Sequence, residues 1–599
     1  MYFLLVLCLQ ALTLELKGDT GLEKHPKYWI SLFIDPEMGV LKANQSVLLN
    51  LPDKVVDIRF KVFPIAFWPN GWIKINKISV EGIPVKNFRF LEKDNTTLVI
   101  PLPPGISYGK KVRVNLSYVV KVPKAEDRFG YYENIMALGN WFPILAVVED
   151  ASWISHPYVS IGESFYSECA DFVVRIKAKG NQVIAATGSL VEEQKEGNMT
   201  VQTWIARNVR DFALALGPDY EVYNVTWENV TVYSYYLPEH EEMGVLAAEI
   251  ATRAIKIFSR IFGRYPYPEF RVAEVHGWFG GMEYPTIVFI SSRLYSKEIS
   301  GSSAWDILQR VIAHEVAHQW WYGVVGNDQY EDPWLDEALA EYSGMLYYKF
   351  VYGDREFRNV FNEYVTNNYY MYITEGEDLP IATSMDGFPS IEVYNAIVYS
   401  KGAMVLRLLN SLMGDEAFFE GLRLYFNQRK FGVAKPEDLM RAFEMSYGQR
   451  LDWFFDRWIF GSGTPSYEIS DVTSHKFGEN YVVEIVLRQN VLNGSTFSLP
   501  VPLEFVCKDG SNISLYTWVN DTTCVLQLQL PCEPVQIIVD PDDVIPGKDQ
   551  GWVATEKTEE SSKYEVPLSV TAVILLFLLI ISVSILLFYR WRLRESKQS

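Results

Sequence analysis

His314-Glu315-Val316-Ala317-His318 sets two imidazoles four positions apart, with a carboxylate beside the first. On a helix four positions make nearly one turn, so the two rings lie on one face while Glu315 points about 100° round the axis. Two neutral nitrogen donors and a neighbouring base suit a zinc ion that activates water for hydrolysis. Such an ion usually takes three protein ligands and keeps one position open. Glu337, in Trp334-Leu335-Asp336-Glu337-Ala338, is the third candidate. Asp332 as N-cap and Pro333 at the first position mark a helix start, which puts Glu337 one turn inside a second helix. A short turn after Gly323 brings that helix back against the first. Asp336 and Glu341 are the competing carboxylates. Glu341, one turn beyond Glu337 on the same face, is also placed to hold a zinc histidine from behind.

Periodicity supplies the elements that position these groups. At 599 residues the chain exceeds one ordinary core, and its 49% hydrophobic and 21% charged content is that of a globular protein. Residues 21–235 carry short alternating runs, such as 73–80, 112–120, 172–176 and 201–206, separated by turn residues, and read as an all-β domain. Near Glu239 the period becomes helical and stays so through most of 236–465, with glycines ending many of the runs. A strand-like stretch at 271–291 precedes the first ligand helix. Alternation returns over 466–541, with turn signals at Asn493-Gly494 and Asp509-Gly510, and reads as a small β-sandwich. Residues 542–565 read as a charged linker.

The run 566–589 is apolar and long enough to span a bilayer, and Arg590, Arg592, Arg594 and Lys597 follow it in the short tail 590–599. That order predicts a single C-terminal transmembrane helix, a cytoplasmic tail and a body outside the cell. Residues 1–20 have the apolar stretch of an export segment, without a basic start or a clear cleavage site, and are read as one in preference to a buried strand. Nine N-x-S/T sequons begin at Asn44, Asn95, Asn115, Asn198, Asn224, Asn229, Asn493, Asn512 and Asn520, all outside 230–492, and fit glycosylated domains flanking a bare catalytic one. Of the five cysteines, Cys507, Cys524 and Cys532 crowd one segment where a single disulfide or free buried thiols both fit; Cys8 and Cys169 stand apart. No cysteine spacing resembles a structural zinc site. A net charge of -20 argues against a nucleic-acid surface.

With these motifs in place, the chain resembles the aminopeptidase N family of gluzincin metallopeptidases, whose signature is HExxH, eighteen intervening residues and a glutamate ligand. His318 to Glu337 has that spacing. Gly280-Gly281-Met282-Glu283-Tyr284 is similar to the family's Gly-Ala-Met-Glu-Asn motif, with Gly281 and Tyr284 where alanine and asparagine are usual. Tyr399-Ser400-Lys401-Gly402 resembles its Tyr-x-Lys-Gly segment, and Trp453, Trp458, Gly461, Gly463 and Pro465 its domain-ending stretch. The resemblance implies a multidomain α+β protein: an N-terminal all-β domain, a thermolysin-like, mainly helical catalytic domain holding one Zn²⁺, and a β-sandwich. The family's long helical C-terminal domain has no counterpart here.

It further implies an aminopeptidase that releases N-terminal residues from peptides, with Glu315 as general base and Tyr399 as donor to the developing oxyanion. Tyr394 is the competing phenol. Glu283, with the adjoining Gly280, Gly281 and Met282, would bind the substrate's N-terminal end, since a carboxylate there pairs with a free α-ammonium. The family's N-terminal domain also supplies a glutamine-containing segment to the amine; only Glu168 offers a positional candidate. Two other readings use the same motifs: a zinc endopeptidase of this class, and a surface binding protein on an inactive peptidase fold. The second lacks its expected mark, because His314, Glu315, His318 and Glu337 are all present.

Overall fold

The computed structural model describes residues 25–91, 95–106, 109–296, 304–373, 378–492, 495–547 and 551–553. The first body is all β. Alternation buries one side of the inner strands, as in Lys111–Lys121, where Val112, Val114, Leu116, Tyr118 and Val120 face inward. Eight strands form one sheet, in the order Ser189–Lys195, Met199–Val209, Ala170–Lys179, Lys27–Asp35, Val40–Asn50, Lys111–Lys121, Trp72–Val80 and Ile83–Pro84. Two four-stranded sheets and a two-stranded one complete this body among the described residues.

The expected boundary at 235 falls inside a different sheet. Glu221–Trp227 and Val230–Tyr236 alternate like their predecessors, yet Val230–Tyr236 pairs in parallel with Glu269–Val275, in a five-stranded sheet that also holds Ile287–Ser291 and Gly281–Met282. The catalytic body therefore begins near 221. Its helix Glu241–Ile261 crosses between two parallel strands and buries a stripe of Ala247, Ala248, Ala251, Ala254, Ile255 and Phe258.

Two helices carry the metal motif. Ala304–Ala317 ends just before His318, whose N–H still bonds to the carbonyl of His314 at 3.3 Å and so keeps both rings one turn apart. The second, Trp334–Tyr352, starts one residue later than predicted, with Pro333 as its flanking residue. It is buried along nearly its whole length, from Trp334 to Tyr348, as befits a helix at the centre of the body. Further helices follow at Gly402–Met413, Asp415–Arg429, Pro436–Tyr447 and Asp452–Trp458. Gly448 closes Pro436–Tyr447 in the left-handed conformation that glycine adopts without strain. Tyr399 lies on a π-helical turn, Asn395–Lys401.

The last body packs a three-stranded against a four-stranded sheet, with a Cys507–Cys532 disulfide; Cys524 and Cys169 are free. It extends past the expected end at 541. Ile545 is buried, Arg407 donates to the carbonyl of Asp542 at 2.7 Å, and Trp552–Val553 pairs with Pro534–Val539, so the start of the expected linker belongs to the fold. Among the described residues no helix is long and apolar enough to cross a membrane. The expected export segment 1–20 and membrane helix 566–589 lie outside the described residues, as do Cys8 and Asn493.

Candidate metal centre

The two ligand helices bring His314, His318 and Glu337 together, all three buried. Nε2 of His318 lies 3.1 Å from Nε2 of His314 and 3.1 Å from Oε2 of Glu337, and His314 Nε2 lies 3.3 Å from the same oxygen. Tetrahedral zinc with bonds of about 2.0–2.1 Å would set its ligand atoms roughly 3.3 Å apart, so the spacing fits. The tautomers agree. Nδ1 of His318 is 3.0 Å from the carbonyl of Trp321, which can only accept, so that nitrogen carries the proton and Nε2 a lone pair. Nδ1 of His314 stands 3.0 Å from Oε2 of Glu341, which orients its Nε2 the same way. Two lone pairs and a carboxylate oxygen facing one another out of water are a donor set for a cation. Burial would raise Glu337, but the two imidazoles outweigh it and hold the carboxyl below its usual range.

The competing carboxylates have other partners. Asp336 accepts from Asn327 Nδ2 at 2.9 Å and Gln329 Nε2 at 2.8 Å, while Glu341 braces His314 and Arg310. Glu315 sits beside the centre with Oε2 unpartnered, and burial, against the pull of both imidazoles, lifts its carboxyl to about 7. The strand Gly281–Met282 runs directly past it: a methyl on Gly281 would lie 2.3 Å from Glu315 Oε1. Met282 is buried, and Gly280 accepts a backbone bond from Ser291 at 3.0 Å. Tyr284, where the family has asparagine, turns away; its hydroxyl donates to Asn140 at 3.1 Å, in space left by Gly139.

Tyr399 reaches the centre. Its hydroxyl donates to Oε1 of Glu337 at 2.5 Å and its ring lies parallel to that of His314, 5.7 Å between centroids. Tyr394 is buried behind it, edge-on at 5.8 Å, with its hydroxyl against Gly162. The phenol that faces the cleft is Tyr399.

Glu283 lies at one end of the cleft and hydrogen-bonds with Glu163, a residue the sequence reading missed. Arg128 donates to Glu163 Oε1 at 3.1 Å. Burial, then Glu283, push the Glu163 carboxyl up, and burial lifts Glu283 to about 8 against the hydrogen bond from Glu163. Glu168, the candidate named from sequence, is exposed and takes no part; the chain turns outward between Ser167 and Cys169. Gln329, from the loop joining the ligand helices, completes this end with its amide 3.2 Å from Glu283 Oε1. Neither Glu163 nor Gln329 lies in a periodic segment, and the one local cue is Gly162, whose Cβ would strike Tyr394.

Part of this chain is similar to known proteins. Alanine/arginine aminopeptidase of Saccharomyces cerevisiae is 28% identical over 309 residues, 50% of this chain and 35% of that protein. Aminopeptidase 2 of the same yeast is 30% identical over 256 residues, 40% and 26% of the two chains, and Aminopeptidase M1 of Arabidopsis thaliana 25% over 304, 49% and 34%. The chain thus spans about a third or less of the length of these relatives. A crystal structure of Legionella pneumophila aminopeptidase A with aspartic acid shares the fold with a TM-score of 0.66 at 16% identity, covering 90% of this chain and 61% of that one. Residues 246–458, which carry all three ligands, Glu315, Glu283 and Tyr399, match the peptidase family M1 domain.

Proposed function

We propose that this chain is a zinc-dependent aminopeptidase, which hydrolyses the first peptide bond of peptides with a free N-terminus. The observation that carries the reading is the pairing of Glu283 with Glu163 beside the base, at one end of the cleft. Gly281 packs on Glu315, and Glu283 follows two positions later, just past the end of the short strand Gly281–Met282. A carboxylate pair at that end suits a free α-ammonium. The yeast and plant relatives, each named an aminopeptidase, support the same reading.

His314, His318 and Glu337 would hold one zinc ion, which when bound brings the pKa of water towards neutrality and polarises the carbonyl. Glu315 takes the proton of the attacking water and delivers it to the leaving amine. Tyr399 turns its phenol from Glu337 to the oxygen that gains charge. Glu163 and Glu283 take up the ammonium.

The body sits outside the cell, tethered by 566–589, and carries glycans. The arginines after that run support this topology, and Asn44, Asn95, Asn198, Asn224, Asn229, Asn512 and Asn520 are all exposed. Shaving intact cells with protease, then probing for the body and the tail, tests the placement.

A panel of aminoacyl fluorogenic substrates, free and N-acetylated, tests the activity. Chelator-sensitive release is expected from the free forms alone, with kcat reduced about 10³-fold in Glu315→Gln. Equal cleavage of the acetylated forms would make the protein an endopeptidase and overturn the role given to Glu283.

A further inference from the structure

Gln329 is buried to 1% exposure, and its one amide nitrogen faces three carboxylates: Asp336 Oδ2 at 2.8 Å, Glu283 Oε1 at 3.2 Å and Glu163 Oε2 at 3.4 Å. An amide NH₂ has two hydrogens, so three acceptors cannot all be served well. Its own oxygen, Oε1, has no partner although it is buried. The amide is planar and its O and N are about 2.3 Å apart, so Oε1 sits at the edge of this nest of carboxylates. An unmet acceptor in a buried acidic nest costs roughly 1–3 kcal/mol unless a donor arrives.

The backbone around Gln329 is held from both sides. Asp328 Oδ1 accepts from the backbone of Tyr330 at 3.1 Å, and its Oδ2 lies 2.7 Å from His156 of the β body. The ring of Tyr330 lies flat on His156, 4.4 Å between centroids, and its carbonyl accepts from Met385 at 2.9 Å. The backbone at Gln329 is thus also fixed by residues on either side, independently of its side chain.

An α-ammonium brings three N–H donors and one positive charge. We infer that Gln329 is a third binding group for the N-terminal ammonium of the substrate, its Oε1 accepting one N–H while Glu163 and Glu283 accept the others. Its Nε2 meanwhile holds Glu283 Oε1 and Asp336 Oδ2 in place. The inference rests on the aminopeptidase reading and adds to it a group from the loop between the ligand helices. A neutral oxygen at this point also completes the ammonium's hydrogen bonds without adding a fourth charge to the nest.

Two inhibitors that differ only in the amine separate this role from a structural one: L-alanine hydroxamate and propionohydroxamate share the metal-binding head. In the full-length protein, Gln329→Met is expected to weaken alanine hydroxamate by about 10- to 100-fold, the loss of one hydrogen bond to a charged group, and propionohydroxamate by less than about 3-fold. KM for aminoacyl amides should rise by a similar factor with kcat within about 3-fold. Equal weakening of both hydroxamates, or no change in either, overturns the inference. If the wild-type protein itself fails to distinguish the two compounds, the fault lies with the aminopeptidase reading and not with Gln329.

Discussion

Glu341 braces His314 from behind: its Oε2 lies 3.0 Å from Nδ1 of the imidazole whose Nε2 faces Glu337. Arg310, 3.4 Å away, in turn holds Glu341, and burial is offset by these partners so that the carboxyl stays below its ordinary range. A carboxylate behind a ligand histidine fixes the tautomer and strengthens the donor. Glu341→Ala should therefore lower zinc affinity about 10- to 100-fold, measured by competition with a chelator. At saturating zinc kcat should recover to within several-fold of wild type. Unchanged affinity would remove Glu341 from the centre.

The two phenols can be told apart. Tyr399 reaches a ligand oxygen, whereas Tyr394 spends its hydroxyl in a buried niche beside Gly162. Tyr399→Phe is expected to reduce kcat by about 10²- to 10³-fold with KM little changed, the pattern of a donor used mainly in the transition state. Tyr394→Phe should stay within several-fold on both constants. The reverse outcome would exchange their roles.

Lys401 and Asp378 make an ion pair with no exposure, 2.8 and 3.0 Å from Nζ to the two carboxylate oxygens. Asp378 also accepts from Tyr369 at 3.1 Å, and Lys401 ends the π-helical turn that presents Tyr399. Burial pulls the ammonium pKa down against the carboxylate's effect, so each charge depends on the other. Removing one partner strands the second out of water, at a cost of about 3–5 kcal/mol. Lys401→Met should lower the thermal midpoint markedly, and the double change Lys401→Met with Asp378→Asn should recover part of the loss. A double variant no more stable than the single would argue against a stranded charge.

What could be read without coordinates follows from how local each signal is. The ligand set was legible because His314 and Glu337 lie on helices and His318 continues the turn after the first, so that a period near 3.6 converts spacing into direction. Glu341 was legible for the same reason. Glu163 was not, because it reaches Glu283 from an irregular loop of the β body, and no local pattern encodes contact between segments 120 positions apart. The boundary near 221 was missed because Val230–Tyr236 alternates like any half-buried strand; its parallel partner, Glu269–Val275, is chosen by the helix between them. Gly281 looked like a departure from a motif, and only the approach of Glu315 shows what its missing methyl makes room for.

His240 gives the fold a pH dependence that can be measured apart from catalysis. Its Nδ1 lies 2.7 Å from Oε1 of Glu274, whose other oxygen accepts from the backbone of Leu237 at 2.9 Å, where the strand Val230–Tyr236 gives way to the helix Glu241–Ile261. The bond to Glu274 raises the His240 pKa above its ordinary 6.5, despite partial burial. A raised histidine stabilises the fold fully below 6.5, where it is charged in both states, and the contribution fades as pH climbs through the folded-state value. The ring is partly wet, so the effect is at most about 1 kcal/mol, or roughly 2–4 °C for a domain of this size. His240→Gln keeps a donor for Glu274 but cannot titrate. The difference in thermal midpoint between wild type and His240→Gln should be largest near pH 5.5 and shrink with rising pH. A gap that widens with pH would mean the imidazole is favoured in its neutral form, and would reverse the sign of the pair.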